Sequence, residues 1–522
     1  MSRLSCATAL LATVLLLTAC GSGGKDNGTG GIAPPPPTPQ RGDLLGFPLL
    51  KTYLPQELLV LAAQSEIGKS LVKLSVAPKC SVSVYQLKYQ TVGAKGEAAS
   101  ASGALMVPSG ADAACQGARP ILLYAHGVSA DRTYNIANLT SSNPASAEAV
   151  AITAMFAARG YVVIAPNFVG YDSSSLTYHP YLNADQQSKE MIDILKAGRS
   201  ALPTPLAPAA IDDGRLFITG YSEGGYVAMA THRAMQAAGS PVTATAPMSG
   251  PYALSAFGDA IFRGQVPMSA PANLTLLISG YNIAYGDIFA NSTDVFEAKY
   301  AAGVAGLLPS TTSLPDLRAQ GKIPVTVVFN STPPDPTFAP LTPATEPTAL
   351  ASVFAQGFGS DFLITNAYRL SYLQDTQTAP DGALPTTTDG LPPVNPTNAL
   401  RRALKLNDLR SWTPTAPVLL CGGSKDPTVF YLNTQLIEDY WAAAAPTAHV
   451  TIVDVDSIPT LGDPYAAVKA GFQAAKELVR TGAVGGTASS GEEAVFSAYH
   501  STLVPPFCLS AVKSFFDGYS NG

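Results

Sequence analysis

The sequence predicts an α/β protein with a mostly parallel, doubly wound sheet, an N-terminal antiparallel hairpin and a large inserted module. Short, nearly continuous apolar runs alternate with segments of helical length, as in parallel sheets covered on both faces. Before them lies a stretch in which apolar and polar residues alternate, which is typical of antiparallel strands. A long interval rich in Pro, Thr, Gly and Asp interrupts the strand-and-helix alternation, and we interpret it as an insertion.

The first predicted elements are the two strands of a hairpin. Between residues 81 and 107, "SVSVYQLKYQTV" and "ASASGALMV" lie on either side of the turn-prone "GAKGEA". Alternation around such a turn predicts a β-hairpin. We expect its strands to lie at the edge of the sheet.

The next elements predict βαβ units. The apolar runs "RPILLYAHG", "GYVVIAPNF", "RLFITG" and "PVTATAPMSG" predict strands. Residues 143–160, residues 188–202 and the segment that begins at Glu223 predict helices between them. Strands separated by helices favour a parallel, doubly wound sheet.

Residues 252–412 predict one inserted cap or lid module, with weak helical patches. Strands then return in "APVLLCGGSKD" and "AHVTIVDVDS", followed by the helical "PYAAVKAGFQAAKELVRTG" and "FCLSAVKSFF". The two parts of the core are therefore predicted at residues 45–251 and 413–522.

The first 44 residues predict export and a tether. Arg3 and the apolar "ALLATVLLL" are typical of a signal peptide at residues 1–19. "LTACG" resembles the bacterial lipobox, in which Cys20 is lipidated, with a plain signal peptide as the alternative. Residues 20–44, rich in Gly and then Pro, predict a tether. We expect an exported lipoprotein of the bacterial cell envelope, held at the membrane by its N-terminal lipid.

Composition excludes some classes of function. Charged residues make up 13% of the chain and the net charge is -6, so no basic field would attract nucleic acid. The sequence has neither CxxC nor HExxH, and we predict no metal site and no cofactor.

Four further cysteines predict two disulfides in an exported protein, and they are Cys80, Cys115, Cys421 and Cys508. Three pairings are possible. Pairing Cys80 with Cys115 would close the ends of the two-strand segment and leave Cys421 for Cys508.

Ser222 is the candidate nucleophile. It lies in Gly-Tyr-Ser-Glu-Gly, a GxSxG pattern that is too short to be decisive alone. A predicted strand precedes it and a predicted helix follows, which matches the strained elbow that exposes a serine hydroxyl. A serine also needs a base, and the base needs an orienting group.

Elimination among the histidines favours one base. The five are His126, His179, His232, His449 and His500. His232 lies ten residues past Ser222 on the same predicted helix, roughly 15 Å away. The backbone around His126 is better placed to bind an oxyanion, and His449 begins a strand. His500 fits the chain order Ser, Asp, His, while His179, on a loop that could line the cleft, stays an alternative.

Asp426 is the candidate orienting carboxylate, because it follows a returning strand in a Gly-rich loop. Asp454 and Asp456 are the rivals. Glu223 is unsuited as the orienting carboxylate, because its side chain leaves the elbow away from a histidine that reaches the Ser222 Oγ. The N–H of Glu223 is instead the first predicted oxyanion donor, since it directly follows the nucleophile. The second is the N–H of Val128, with Gly127 as the alternative.

The segments "YAHG", "NFVGYDSS", "HPYL", "GYSEGG", "GGSKDPTV" and a late "YH" resemble, in this order, the α/β-hydrolases. More narrowly, they are similar to the secretory lipases and esterases that include fungal lipase A-like enzymes and bacterial lipoproteins. The resemblance implies a triad of Ser222, Asp426 and His500, and an insertion that forms a lid. Two features depart from it: Asn167 stands where relatives often carry Asp, and the interval from Asp426 to His500 is long.

These observations predict a serine carboxylic-ester hydrolase, an esterase or lipase that forms an acyl-enzyme and acts on a small-molecule or lipid ester. One alternative is a serine peptidase like prolyl oligopeptidase, although the segment before residue 81 is too short for that family's propeller. The other is a non-catalytic surface lipoprotein that binds a ligand.

Overall fold

The structure is a computed structural model that describes residues 39–74, 77–202, 211–483 and 488–520. The predicted signal peptide, most of the predicted tether and the lipidation candidate Cys20 lie outside the described residues. Their assignments stay predictions, as do the other segment boundaries.

A single large sheet organises the described part of the chain. Its ten strands are β1 (Leu44–Gly46), β2 (Leu49–Tyr53), β3 (Ser81–Val92), β4 (Ala98–Ser109), β5 (Ala118–Ala125), β6 (Val162–Pro166), β7 (Ile211–Tyr221), β8 (Ala244–Met248), β11 (Val418–Gly422) and β12 (Val450–Asp454). The spatial order is β1-β3-β4-β6-β5-β7-β8-β11-β12, with β2 also pairing with β3. Two short strands, β9 (Phe329–Asn330) and β10 (Phe358–Gly359), pair separately.

The predicted fold class is confirmed. From β6 to β12 along the sheet, neighbouring strands are parallel, and the residues of β6, β8 and β11 are all buried. Burial on both faces explains their continuous apolar sequences. The hairpin of β3 and β4 forms as predicted, in register from Ser81 with Ser109 to Val92 with Ala98.

The predicted position of that hairpin at the sheet edge is wrong. Strands β1 and β2 both pair with β3 and cover most of its outer side, while β4 pairs with β6 on its other side. These two strands are only 3 and 5 residues long and carry little alternation, which is why the sequence pattern did not reveal them.

Helices cover the sheet and fill the interval between β8 and β11. The sixteen α-helices of the described residues are α1 (Pro55–Ala62), α2 (Glu66–Lys73), α3 (Ser146–Met155), α4 (Ala184–Ala201), α5 (Glu223–Ala237), α6 (Leu254–Phe262), α7 (Ala270–Tyr285), α8 (Ala298–Ala301), α9 (Leu314–Ala319), α10 (Ala351–Ala355), α11 (Asn366–Thr378), α12 (Ala399–Leu406), α13 (Leu432–Ala444), α14 (Ala466–Thr481), α15 (Ala488–Ala498) and α16 (Val504–Ser520). A π-helical turn, Tyr499–Leu503, joins the last two. None of these helices combines the length and apolar character needed to cross a membrane.

Two disulfides fasten the fold, with the pairing that the spacing favoured. One joins Cys80, just before β3, to Cys115, just before β5. The other joins Cys421 on β11 to Cys508 on α16. The second bond therefore ties a sheet strand to the C-terminal helix.

Candidate active site

Ser222 lies on a strained turn between β7 and α5. Its φ of 59° and ψ of -121° form a conformation that residues other than glycine rarely adopt. The turn is tight enough to require glycine, because a Cβ on Gly224 would lie 1.9 Å from the carbonyl oxygen of Ala125. The Ser222 N–H donates to the Met248 oxygen at 2.9 Å, which fixes the elbow to β8.

The structure brings the three predicted triad residues together. Nδ1 of His500 donates to Oδ2 of Asp426 at 2.6 Å. Because that nitrogen carries the proton, Nε2 of a neutral His500 is the acceptor, and it lies 2.8 Å from the Ser222 Oγ. A base in this tautomer and position can remove the serine proton.

Local structure positions both partners of the serine. Asp426 is 2% exposed and its Oδ1 accepts the N–H groups of Thr428 and Val429, at 2.8 and 3.0 Å, which leaves Oδ2 for the histidine. His500 lies on the π-helical turn before α16, and such turns often occur at functional sites. Asp426 and His500 are 74 positions apart in the chain, and the interval includes α13, β12, α14 and α15.

The rival carboxylates have other partners. Oδ1 of Asp454 accepts the N–H groups of Ser424 and Asp456, at 3.0 and 2.9 Å. Asp456 accepts the hydroxyl of Tyr499 at 2.8 Å and pairs with Lys476. Both aspartates therefore support the loop and helix beside the triad.

Tyr221 supports His500, and the sequence analysis missed it. Its hydroxyl donates to the backbone oxygen of His500 at 2.6 Å, and the two rings lie 5.1 Å apart. Tyr221 directly precedes Ser222, so one short segment carries the serine and holds the base. The tyrosine in GYSEG was visible, but its partner 279 residues away was not.

The structure distinguishes the two amides of the loop after β5 that were the candidates for the second oxyanion donor, those of Val128 and Gly127. The Gly127 N–H donates to Oε1 of Glu148 at 3.1 Å, which removes the alternative donor. Within the described residues, the amides of Val128 and Glu223 donate no hydrogen bond. Glu148 also accepts hydrogen bonds from the hydroxyls of Tyr124 and Tyr134, at 2.7 and 2.8 Å. This glutamate therefore ties the loop to β5 and α3.

The loop that carries the alternative base lines the cavity beside Ser222 through Tyr181 and Leu182, but not through His179. His179 is 1% exposed, its Nδ1 donates to the Val169 oxygen at 3.1 Å, and its Nε2 lies 2.6 Å from Oε1 of Glu223. Burial lowers the pKa of His179, but the Glu223 carboxylate and its hydrogen bond raise that pKa more, so the net shift is upward. His179 therefore pairs with the residue after the serine instead of with the serine itself.

Comparisons with a protein-family model and with solved structures relate this architecture to known proteins. The model of the prolyl oligopeptidase family matches residues 148–244, which include the Ser222 elbow. The rice cell wall degrading esterase LipA from Xanthomonas oryzae superposes with a TM-score of 0.62 at 24% identity, over 92% of this chain and 100% of its own. A candidate hydrolase from Legionella pneumophila gives 0.61 at 18% identity, over 92% and 98% of the two chains. This chain has the α/β-hydrolase fold. No curated protein sequence matches it significantly.

A cleft with two sides opens at Ser222 in this fold. The narrow side holds a cavity of about 50 Å³, and its apolar lining comes mainly from α6, α7 and α12, including Leu254, Phe257, Ile261, Leu274, Leu277 and Leu404. The wide side, of about 340 Å³, is lined by His500, Gly127, Val128, Leu276 and Phe496. Ser222 is common to both sides, so the reacting atoms of a bound substrate would lie at their junction.

Within the residues that the structure describes, no three His, Cys, Asp or Glu side chains are arranged to hold a metal ion.

Proposed function

We propose that this protein is a serine carboxylic-ester hydrolase. The observation that carries the proposal is the continuous hydrogen-bond chain from Ser222 Oγ through His500 to Asp426, at 2.8 and 2.6 Å, on a strained elbow. Such a chain turns a weakly nucleophilic hydroxyl into an effective one.

The reaction proceeds in two halves. Ser222 Oγ bonds to the ester carbonyl carbon while its proton passes to Nε2 of His500, and the carbonyl electron pair moves to the oxygen. The N–H groups of Glu223 and Val128 bind this oxyanion. The carbon–oxygen bond to the alcohol then breaks, and the alcohol takes the proton from His500. A water molecule repeats the sequence on the acyl-enzyme and releases the acid.

The two sides of the cleft suggest how an ester binds. The departing alcohol must lie near Nε2 of His500 to receive its proton, and His500 lines the wide side. The acyl group then extends into the narrow apolar side. We therefore propose slim, unbranched acyl chains and a bulkier alcohol part as the preferred substrate class. Residues 252–412 supply most of the acyl side, which supports a cap role for them.

The test is Ser222→Ala with a short p-nitrophenyl ester. Hydrolysis should fall by more than about 10⁴-fold while the melting temperature is unchanged. Ser200→Ala is the matched control and should keep full activity, because the Ser200 hydroxyl donates to the Lys196 oxygen on the exposed side of α4. A fluorophosphonate should label wild-type Ser222. Retained turnover in Ser222→Ala would refute Ser222 as the nucleophile. An unlabelled Ser222 in the wild type, without ester turnover, would refute the proposal and favour a ligand-binding protein.

The second candidate is a serine peptidase, favoured by the prolyl oligopeptidase family match over residues 148–244. A p-nitroanilide of a proline dipeptide distinguishes the two candidates from the same enzyme preparation. Ser222-dependent cleavage of this amide at a rate above that of the ester would favour the peptidase.

We also propose that the protein is an exported lipoprotein. The two disulfides support export, because such bonds persist in oxidising compartments. Cys20→Ser should abolish incorporation of labelled palmitate and release the protein from the membrane fraction. Cys6→Ser, inside the predicted signal peptide, is the control and should retain the label.

A further inference from the structure

The loop at residues 167–183, between β6 and α4, contacts both segments that carry the proposed oxyanion donors. Tyr171 reaches the loop after β5, where its hydroxyl donates to the Ser129 oxygen at 2.6 Å, one residue from Val128. His179 reaches the start of α5, where it pairs with Glu223. The side chains of Tyr171 and His179 are buried and their rings lie 4.8 Å apart.

The backbone of this loop is held in unusual conformations. Phe168, Asp172 and Leu182 have φ values of 62°, 44° and 56°, which residues other than glycine rarely adopt. Gly170, at φ 95°, leaves no room for a side chain, since a Cβ there would lie 2.5 Å from the Tyr178 oxygen. Strain of this kind persists where surrounding contacts impose one geometry, and it is concentrated at functional sites.

The pairing of Glu223 bears directly on its amide. The ψ angle of Ser222, -121°, sets the direction of the Glu223 N–H, and Ser222 is itself strained. An anchored Glu223 side chain prevents the Ser222 backbone from relaxing to a less strained ψ angle, which would turn the Glu223 N–H away from the oxyanion. Its Oε1 accepts from both His179 and Gln187, each at 2.6 Å, and the residue is 1% exposed.

We propose that Tyr171 and His179 are positioning residues for the oxyanion hole. Tyr171 acts on the Val128 amide through Ser129. His179 acts on the Glu223 amide by holding the Glu223 side chain. The inference rests on the proposed hydrolase function. It assigns a role to a buried histidine and a buried tyrosine that touch neither the substrate cleft nor the triad.

The test compares a p-nitrophenyl ester with its thionoester, in which sulfur replaces the carbonyl oxygen. Sulfur accepts hydrogen bonds more weakly than oxygen, so well-placed amides favour the oxygen ester, and misplaced amides lose that preference. In Tyr171→Phe, His179→Gln and Glu223→Gln we expect kcat for the oxygen ester to fall by about 10- to 100-fold, with KM nearly unchanged. The preference for oxygen over sulfur in kcat/KM should fall by about 10-fold.

A purely structural role would give a different result. Fewer folded molecules lower both rates equally and leave the oxygen-to-sulfur ratio unchanged, and fluorophosphonate titration of active sites measures that fraction. Tyr161→Phe is the matched control, because this buried hydroxyl bonds Ser520 and Asp517 at the C-terminal helix. The double variant His179→Gln/Glu223→Gln should lose no more than either single variant, since the two residues act as a pair.

An oxygen-to-sulfur ratio that stays at the wild-type value in all three single variants would overturn the positioning roles. Failure of the proposed function is distinguishable, because the wild type itself would then show no Ser222-dependent turnover of the oxygen ester.

Discussion

The disulfide between Cys421 and Cys508 should control both stability and catalysis. Cys421 lies on β11, five residues before Asp426, and Cys508 lies on α16, eight residues after His500. The bond therefore fastens together the two segments that carry the orienting carboxylate and the base. Cys80–Cys115 is a natural control. It lies at the start of β5, and the site lies at the other end of this 8-residue strand, about 25 Å away.

The loop lengths set the expected losses of stability. The two bonds close loops with sequence separations of 87 and 35 residues. On the chain-entropy relation, they restrict the unfolded chain by about 4.6 and about 3.8 kcal/mol. All four cysteines are buried, so replacement by alanine leaves similar small cavities in both cases. The two double variants should therefore lose similar stability.

Activity should separate the two variants. Freed from its cross-link, the segment after β11 can shift relative to the C-terminal helix, and misplacement by about 1 Å can cost about 100-fold in rate. We expect Cys421→Ala/Cys508→Ala to lose at least about 10-fold in kcat, and Cys80→Ala/Cys115→Ala to stay within about twofold.

The measurements are urea unfolding for stability and p-nitrophenyl ester hydrolysis at a temperature where both variants are folded. Equal losses of activity in the two variants, or a Cys421→Ala/Cys508→Ala protein as stable as the wild type, would refute the reasoning.

Three other substitutions test separate parts of the structure. Asp426→Asn keeps an acceptor for the amides of residues 428 and 429 but loses the carboxylate that orients His500. The kcat should therefore fall by about 10³- to 10⁴-fold with little change in melting temperature, and a loss below about 10-fold would contradict this role. Burial lowers the pKa of His232 to about 4, below its value of about 6.5 in the unfolded chain. Between these two pH values the unfolded chain binds a proton that the folded protein does not. The wild type should therefore lose up to about 3 kcal/mol of stability through this group as pH falls from 6.5 to 4. His232→Gln should remove that part of the pH dependence of the melting temperature, and identical pH profiles would disprove the assignment. Gly224→Ala should lower the melting temperature by about 3 °C and abolish hydrolysis, because its Cβ would overlap the Ala125 oxygen. Gly303→Ala, with open space around it, should be nearly neutral.

Much of the fold could be predicted because its signals are local. Runs such as "GYVVIAP" contain within a few residues the apolar continuity that a doubly covered parallel strand requires. The elbow at Ser222 is equally local, since glycines on either side of one serine permit the tight turn between a strand and a helix. The short strands β1 and β2 escaped prediction, because they are held by pairing with β3 rather than by their own pattern.

The candidate site could be predicted only as a set of residue types in a chain order. Ser222, Asp426 and His500 were selected in this way, and the structure places them within hydrogen-bond distance. The loop of His179 does line the cleft, through Tyr181 and Leu182, but no sequence pattern reveals that the histidine itself is buried against Glu223. Glu148 could not be found either, since a glutamate on a helix is ordinarily a surface residue.

The sequence by itself determined the order of strands and helices, the strained serine turn and the residues available for a triad. These properties depend on backbone preferences and apolar periodicity over a few residues. Only the tertiary structure decided which residues meet. The Ser222–His500 contact spans 278 residues and the contact of Tyr221 with His500 spans 279. Contacts at such separations follow from the packing of whole helices on the sheet, which fixes side-chain positions that no local stretch of sequence specifies.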